Sequence, residues 1–395
     1  MEISQYEYLK VNRYLLCCIG QWPYQTPWSK ILVGIVVLPL VITQTVFQVG
    51  GVIAAQREGD MDAFAEGFAP SLISFFCIAK YTNFFNREAM KGLLNVMQND
   101  WRACMKSKED YEILSSQYAL GKRTTIRYTA TIYGCMLPFM VMPTILTVIN
   151  KLNAVNGTYE RLLMFRVESF LDVEKYYLPL ALHNYVCTIS FINIAVSCDS
   201  MIVQFVRHEC GLCEIFGRRL QHILENNNNL DIELYPNKRD DVAYRTLKTC
   251  AKLHDHIFEF ARTLESTCTI SYFFQLGFNM VSVSFSQFQA IVNLNSPSKS
   301  FGYASLSACM LNSLLFLSLP AQHFTDAIDR IYDYLSSGKW YQFSLGARKL
   351  LQIMLLKSIR RVELTAGKVY VFNLMNYSSI LQTSFSYCMV LCSFQ

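Results

Sequence analysis

The sequence predicts an all-α, seven-transmembrane helical protein with a cytoplasmic amino terminus and an extracellular carboxyl terminus. Three observations predict it. Seven long apolar stretches run through the chain, at roughly 31–55, 67–86, 128–150, 176–206, 268–292, 301–321 and 366–393. Charged residues make up 16% of the 395 and apolar ones 52%, whereas a soluble chain is about a quarter charged. The cations are also unevenly shared. With Lys80 and Lys368 counted at the inner ends of their spans, 29 of the 35 Lys and Arg precede the first stretch or follow the second, fourth and sixth. Lys and Arg stay on the cytoplasmic side of a membrane, and seven crossings then leave the carboxyl end outside.

Residues 1–30 form a cytoplasmic arm. Glu2, Glu7, Lys10 and Arg13 interrupt it, so it lacks the pattern of a cleavable signal peptide. The first stretch therefore serves as the insertion signal. Trp22-Pro23-Tyr24 and Trp28 suit the membrane interface, where aromatic rings settle. A bilayer core of about 30 Å needs about 20 apolar residues as helix, and several of the stretches exceed that. The second contains Lys80, whose long stem would let its ammonium snorkel to the inner surface.

The outer connections are short except 151–175, which mixes Lys151, Arg161, Arg166 and Lys175 with four acidic residues. It reads equally as a pocket cap or a solvated connector. It carries the glycosylation sequon Asn156-Gly157-Thr158, on the side that the charge rule places outside. The inner connections 87–127 and 207–267 read as helical extensions of the spans. His254, Ile257, Phe258, Ala261, Leu264 and Cys268 recur there at helical spacing. Asn226 to Asn229 and Tyr235-Pro236 mark a break. In 343–361, Leu350 to Leu356 form an apolar run confined between Lys349 and Lys357, too short to cross a bilayer. It reads as a short inner helix, either an intramolecular core or an oligomerising anchor. The chain thus divides into the arm 1–30, helices and extensions over 31–342, and a short anchor helix plus last span over 343–395.

The net charge of +5 requires no nucleic-acid partner, because its cations gather on inner faces beside anionic membrane lipid. The fourteen Cys avoid the outer loops 56–66, 151–175 and 293–300, so reduced, buried thiols are expected rather than a disulfide framework. Cys210-Gly211-Leu212-Cys213 lacks a second paired motif and reads as packed helix, not a metal site. No catalytic constellation, phosphate loop or cofactor motif occurs.

The last stretch is less apolar than a lipid-facing helix should be. Asn376, Ser379, Thr383, Ser386, Val390 and Ser393 fall on one stripe, polar along its length and apolar at Val390. Around an axis, several copies of such a stripe would line a wet conduit, and a ring of valines would shut it by dewetting. Alternatively the hydroxyls bond their own helix carbonyls. The outer halves of spans two, three, four and six offer a ligand lining from Phe68, Leu72, Phe75, Phe76, Met136, Phe139, Met142, Tyr176, Tyr177, His183, Phe301 and Tyr303. Aromatic and Met side chains make an adaptable apolar wall. For each of them ordinary helix contact is the competing reading.

Four local motifs stand out: Leu364-Thr365-Ala366-Gly367-Lys368 before the last span, Ser386-Tyr387-Cys388-Met389-Val390-Leu391 at its close, His208-Glu209-Cys210-Gly211-Leu212 after the fourth, and Phe273-Phe274-Gln275-Leu276-Gly277 in the fifth. They resemble those of insect odorant receptors, and the resemblance covers essentially the whole chain. Asn12-Arg13-Tyr14-Leu15-Leu16 and Gly20-Gln21-Trp22-Pro23-Tyr24 resemble the versions common in ants, bees and wasps. The resemblance implies a tuning subunit of a tetrameric, ligand-gated, non-selective cation channel. Its partner would be the odorant receptor co-receptor, its ligand a small volatile, and its place the plasma membrane of olfactory sensory neurons. It also implies that 343–361 belongs to a cytoplasmic anchor, that the last helix lines the pore, and that Val390 is the gate. Ser393 stands where the co-receptor often has Gln, and Cys388 where the family usually has an aromatic. A gustatory receptor of the same superfamily and a G-protein-coupled receptor are the alternatives. The latter usually carries Asn-Pro-x-x-Tyr late in its last span, and here no Pro follows Pro320.

Overall fold

The structure, a computed structural model, describes residues 7–83, 87–153, 159, 161–165, 175–226, 234, 241–337 and 340–393. Asn156 lies outside them. The described residues form ten α-helices and one short hairpin. They are α1 (Lys10–Cys18), α2 (Pro27–Glu58), α3 (Met61–Asn83), α4 (Arg87–Cys104), α5 (Lys108–Asn153), α6 (Tyr177–Asn226), α7 (Val242–Val292), α8 (Pro297–Ser336), α9 (Leu345–Ser358), β1 (Thr365–Ala366), β2 (Tyr370–Val371) and α10 (Leu374–Ser393).

Local chemistry sets the ends. Pro27 and Pro297 open α2 and α8 at positions where the missing N–H costs nothing. Asp241 caps α7 by accepting from the Tyr244 amide at 2.8 Å, and Ser344 caps α9 by accepting from Ala347. The two caps also meet: the Ser344 hydroxyl donates to Asp241 Oδ2 at 2.5 Å. One hydrogen bond therefore ties the start of α9 to the start of α7.

α2, α3, α5, α6 and α8 are long and apolar enough to cross a membrane. α7 and α10 are less apolar. In α7 the cause is a row of polar side chains, Gln275, Asn279, Ser282 and Ser286, all buried in the bundle. α6 is the central helix and touches α1, α2, α3, α5, α7 and α8. The expected extensions exist: α5, α6, α7 and α8 all run well past their apolar stretches, and their ends gather with α4 and α9 into one end domain. Within 87–127 the extension is broken into α4 and the start of α5, joined by a turn at Met105–Ser107.

Three expectations are corrected. Trp22 is not an interface residue; it is buried in the end domain, while Trp28 is exposed. Trp22 fits there because α1 folds back onto α5 and α6, where Asn12 donates to Thr125 and accepts from Gln204. Lys80 does not snorkel; it is buried against a carboxylate on α6. The last helix begins at Leu374, not 366, because Thr365 to Val371 form a β-hairpin.

That hairpin explains the Thr-Ala-Gly-Lys motif. Gly367 and Lys368 have φ of +61° and +59°, and the Val369 amide donates to the Ala366 carbonyl at 3.1 Å. Two consecutive left-handed residues make the turn that matches strand twist. Thr365 donates to Glu265 at 2.5 Å, and the Gly367 amide donates to the Thr269 carbonyl at 2.8 Å. The hairpin is thereby fixed to α7 just before α10 starts. A Cβ on Gly367 would stand 2.7 Å from the Phe273 ring. Gly367→Val is expected to cost about 2–4 kcal/mol, from left-handed strain plus the clash. A lowered unfolding temperature of the purified protein measures it.

Candidate ligand cavity and pore helix

α3, α5, α6, α7 and α8 enclose an apolar cavity of about 60 Å³. Ile132, Met136 and Phe139 come from α5, Ile192 and Ala195 from α6, and Leu306 and Cys309 from α8. Pro70 of α3 and Pro138 and Pro143 of α5 lie within these helices, and Pro70 itself lines the space. Polar groups enter the wall at few points. The Ser74 hydroxyl donates to Gln48. Thr188 bonds its own helix at the Asn184 carbonyl. Asn279 from α7 lines the cavity, and its amide nitrogen is buried without a hydrogen-bond partner. A few placed polar groups in an apolar wall are what a small-molecule site requires.

A second space of about 450 Å³ adjoins the first. Met142, Leu162, Met164 and Tyr303 line it, with Glu66, Arg161 and Lys299 among its charged residues. Lys299 lies 3.3 Å from Glu66. Pro70, Phe139 and Phe165 border both spaces. The Phe139 ring is 5.7 Å from Phe165 and 6.1 Å from Tyr303. These rings form an aromatic partition between a polar vestibule and an apolar chamber. Leu162 to Phe165 belong to the connection 151–175, so its described part walls the pocket rather than running free.

The floor of the chamber, at Tyr128 and Ser313, rests on an ion pair. Tyr128 stacks on Phe316 at 3.6 Å and donates its hydroxyl to Asp199 Oδ2 at 3.0 Å. Ser313 lies 3.2 Å from the same hydroxyl. Lys80 Nζ donates to Asp199 Oδ1 at 2.5 Å, and neither partner is exposed. An acid within the fourth apolar stretch and a base within the second were each visible in the sequence as intramembrane charges. Two opposite charges inside apolar stretches were the available signal; that they meet is shown only by the structure.

Of the candidate ligand residues, Phe76, Met136 and Phe139 line the chamber, and Met142 and Tyr303 line the vestibule. Tyr177 donates to the Leu162 carbonyl at 3.2 Å and so braces the loop. His183 faces α2, 2.9 Å from the Thr43 hydroxyl and edge-on to Phe47. Phe68 contacts Phe64 and Phe285. Leu72 is half-buried, and Phe75, Tyr176 and Phe301 are exposed. Tyr128, Phe165, Ala195 and Asn279 were not singled out in the sequence. The sequence-based candidates come from one half of four apolar stretches, whereas the chamber reaches the other half of the α5 stretch at Tyr128 and includes Asn279 of α7.

α10 is held along one face. Ile380, Ser384 and Cys388 are buried, and the helix contacts α7 and α8. The polar stripe lies largely off this face: Ser379, Ser386, Val390 and Ser393 are exposed, and Asn376 and Thr383 are half-buried. Thr383 and Ser386 donate to carbonyls four residues back, at 2.8 and 2.9 Å, and Ser393 to Val390 at 2.7 Å. Asn376 donates to the Val371 carbonyl of the hairpin. Backbone bonding and an uncovered stripe therefore coexist on this helix.

In the end domain Asp100 of α4 joins two histidines. His208 of α6 lies 3.0 Å away and His256 of α7 2.9 Å away. The Tyr118 hydroxyl lies 3.2 Å from the other His208 ring nitrogen. Burial pushes the Asp100 carboxyl up, but the hydrogen bonds from both histidines outweigh this and hold it below the usual range. The bond to Asp100 raises His256. Burial, then Lys357, depresses His254 to about 4, so it is neutral where it bonds Ser358 at 2.8 Å. A raised imidazole stabilises the fold below its unfolded value, about 6.5, and that contribution is lost as pH climbs through the folded value. The depressed Asp100 contributes above about 3.9 and loses its contribution only as pH falls through its folded value. Wild type is therefore expected to exceed His256→Gln in unfolding temperature at pH 6, by about 1–3 °C. The gap should shrink as pH rises above about 6.5 and through the raised value of His256; thermal scans of both proteins across that range check it.

Among the described residues no group of three or more His, Cys, Asp or Glu is placed to hold a metal, and the described cysteines are free thiols.

A family model described as 7tm Odorant receptor matches residues 60–385. No curated protein matches the sequence. Among solved structures, the insect olfactory receptor OR5 from Machilis hrabei in complex with eugenol superposes with a TM-score of 0.80 at 12% identity, covering 98% of each chain. A second structure of that receptor gives 0.73 at 13% identity, again over 98% of both chains. At that identity the likeness shows the fold, and the family model spans most of the chain. The chain belongs to the seven-transmembrane odorant receptor family.

Proposed function

We propose that this chain is the odorant-binding subunit of a ligand-gated, non-selective cation channel, assembled with co-receptor subunits in the plasma membrane of olfactory sensory neurons. The observation that carries the reading is the buried apolar chamber behind its aromatic partition. OR5 from Machilis hrabei, whose fold this chain shares, has been solved with eugenol bound. By analogy the ligand here is a small, largely apolar volatile.

The chamber's size supplies the mechanism. Its 60 Å³ is less than the ~150 Å³ apolar cavity that accepts a benzene ring. An odorant of ten or so heavy atoms must therefore move the wall, which Met136 and Met310 permit through flexible side chains. A ligand that fits only a widened chamber has a differential affinity for that state and shifts the population toward it. α7 contributes Asn279 to the wall and also contacts α10, so displacement of the wall reaches the pore helix.

In the assembled channel the end domain is cytosolic and the vestibule opens outside, in line with the Lys and Arg distribution. The uncovered stripe of α10 lines the pore, with Val390 as its apolar constriction. The exposed Ile353, Leu356 and Ile359 at and after α9 form the subunit contact. Epitope tags and recording test this together. In cells co-expressing the co-receptor, the carboxyl tag should be stained without permeabilisation and the amino tag should not. An odorant panel should evoke cation current, and Val390→Ala should raise the unliganded current about tenfold, the effect of ~1.4 kcal/mol on a closed-to-open equilibrium. A reversed tag pattern, or surface complexes silent to the panel, would refute the proposal.

A further inference from the structure

A separate cavity of about 340 Å³ lies between α5, α6 and α8 in the end domain. Its wall is cationic: Arg207 comes from α6, and His323 and Arg330 from α8. Arg207 and His323 follow the ends of the fourth and sixth apolar stretches by one and two residues, and Arg330 lies about 10 Å further along α8. Neither guanidinium has a carboxylate within ion-pairing distance among the described residues. The Arg207 Nε is buried without a hydrogen-bond partner. Arg330, exposed at the mouth, uses its Nε on the Asp326 carbonyl of its own helix. Burial and then the Arg207 charge lower the His323 imidazole, against the pull of the Asp326 carboxylate.

The rest of the wall holds two thiols and one carboxylate, and that carboxylate is not in ion-pairing range of either guanidinium among the described residues. Cys210 and Cys213 both line this space. Burial pushes the Cys210 thiol up to about 12, and it donates to the His323 carbonyl at 3.7 Å, so this pair is neutral wall. The Glu214 carboxylate is engaged by the Gln117 amide at 3.2 Å. A guanidinium presents a planar fork of donors that matches a phosphate oxygen pair. Two such groups, neither within ion-pairing distance of a carboxylate among the described residues, set at a membrane surface, form half of a salt link.

We propose that this cavity binds a phosphate group between Arg207 and Arg330, supplied by an anionic phospholipid of the adjacent leaflet or by a soluble phosphate. Occupancy bridges α6 to α8, the helices that also wall the odorant chamber. The leaflet assigned, the inner one, rests on the orientation proposed above; phosphate binding itself does not.

The full-length chain in phosphatidylcholine nanodiscs tests it, since these present both faces equally. Adding phosphatidic acid to the lipid should raise the unfolding temperature and co-purify more phosphatidic acid with the protein. Arg207→Gln/Arg330→Gln should weaken that retention about tenfold, while Lys248→Gln, an exposed cation elsewhere in the end domain, should not. If inorganic phosphate in plain phosphatidylcholine discs gives the same stabilisation, the source is soluble; if only phosphatidic acid acts, it is lipid. Should the double variant fail to fold, Arg330→Gln alone carries the comparison, because its side chain is exposed. Equal retention by wild type and variant, or no stabilisation from either phosphate source, overturns the proposal. Neither outcome bears on odorant binding.

Discussion

Lys80→Met is expected to destabilise the receptor by about 3–5 kcal/mol, because it strands a carboxylate in the bundle without its partner. Asp199 is completely buried, and its remaining donor would be the Tyr128 hydroxyl. Since domains are commonly stable by only about 5–15 kcal/mol, most of the variant should be retained inside the cell. The double variant Lys80→Met/Asp199→Leu should recover much of the loss. Removing both charges abolishes the desolvation penalty, and two apolar side chains can occupy the same volume. Surface biotinylation and the unfolding temperature of purified protein measure both. If Lys80→Met reached the surface at wild-type levels, the ion pair would not be structural. The recovered double variant also has a functional use. Its Tyr128 hydroxyl has lost its carboxylate acceptor and keeps only Ser313, so a changed odorant response in a stable protein would show that the chamber floor takes part in sensing.

Ala195→Leu should abolish or strongly weaken the odorant response while leaving surface expression intact. Ala195 lines the chamber beside Ile192 and Phe191, and three added carbons would occupy most of its free space. The expected result is a rise of at least tenfold in the odorant concentration for half-maximal current, equivalent to ~1.4 kcal/mol of lost binding. Met136→Ala works in the opposite direction. It widens the chamber, so responses should move toward bulkier odorants. Dose–response curves for the two variants, normalised to surface protein, distinguish a filled site from a damaged fold. An unchanged curve for Ala195→Leu would place the ligand elsewhere, with the vestibule behind Phe139 as the next candidate.

The helices were legible because each apolar stretch is long and most charges sit between stretches. The inner extensions were legible from the helical spacing of His254 to Cys268, which lies on the buried face of α7. The hairpin at Thr365 to Val371 was not. Its strands are two residues each, too short for an alternating pattern, and only the left-handed pair Gly367-Lys368 marks the turn. Lys80 was read as a snorkelling cation because its partner lies 119 positions away on α6, a separation that one sequence cannot bridge. The chamber was partly legible. Position along the spans and residue type pointed to Phe76, Met136 and Phe139, but could not say which aromatic residues on the same helices turn outward. Phe75 and Phe76 are adjacent, and one is exposed while the other is buried. That difference is a matter of helix rotation about its neighbours, which the composition of a mostly apolar helix leaves undetermined.

The most direct test of the central claim is odorant-evoked current in excised outside-out patches from cells expressing this chain with the co-receptor. If the chamber gates a pore within the same complex, single-channel openings should appear on odorant application without GTP or cytosol. They should also require higher odorant concentrations with Ala195→Leu. Current that depends on GTP, or patches that stay silent while intact cells respond, would contradict a channel opened by its own ligand site.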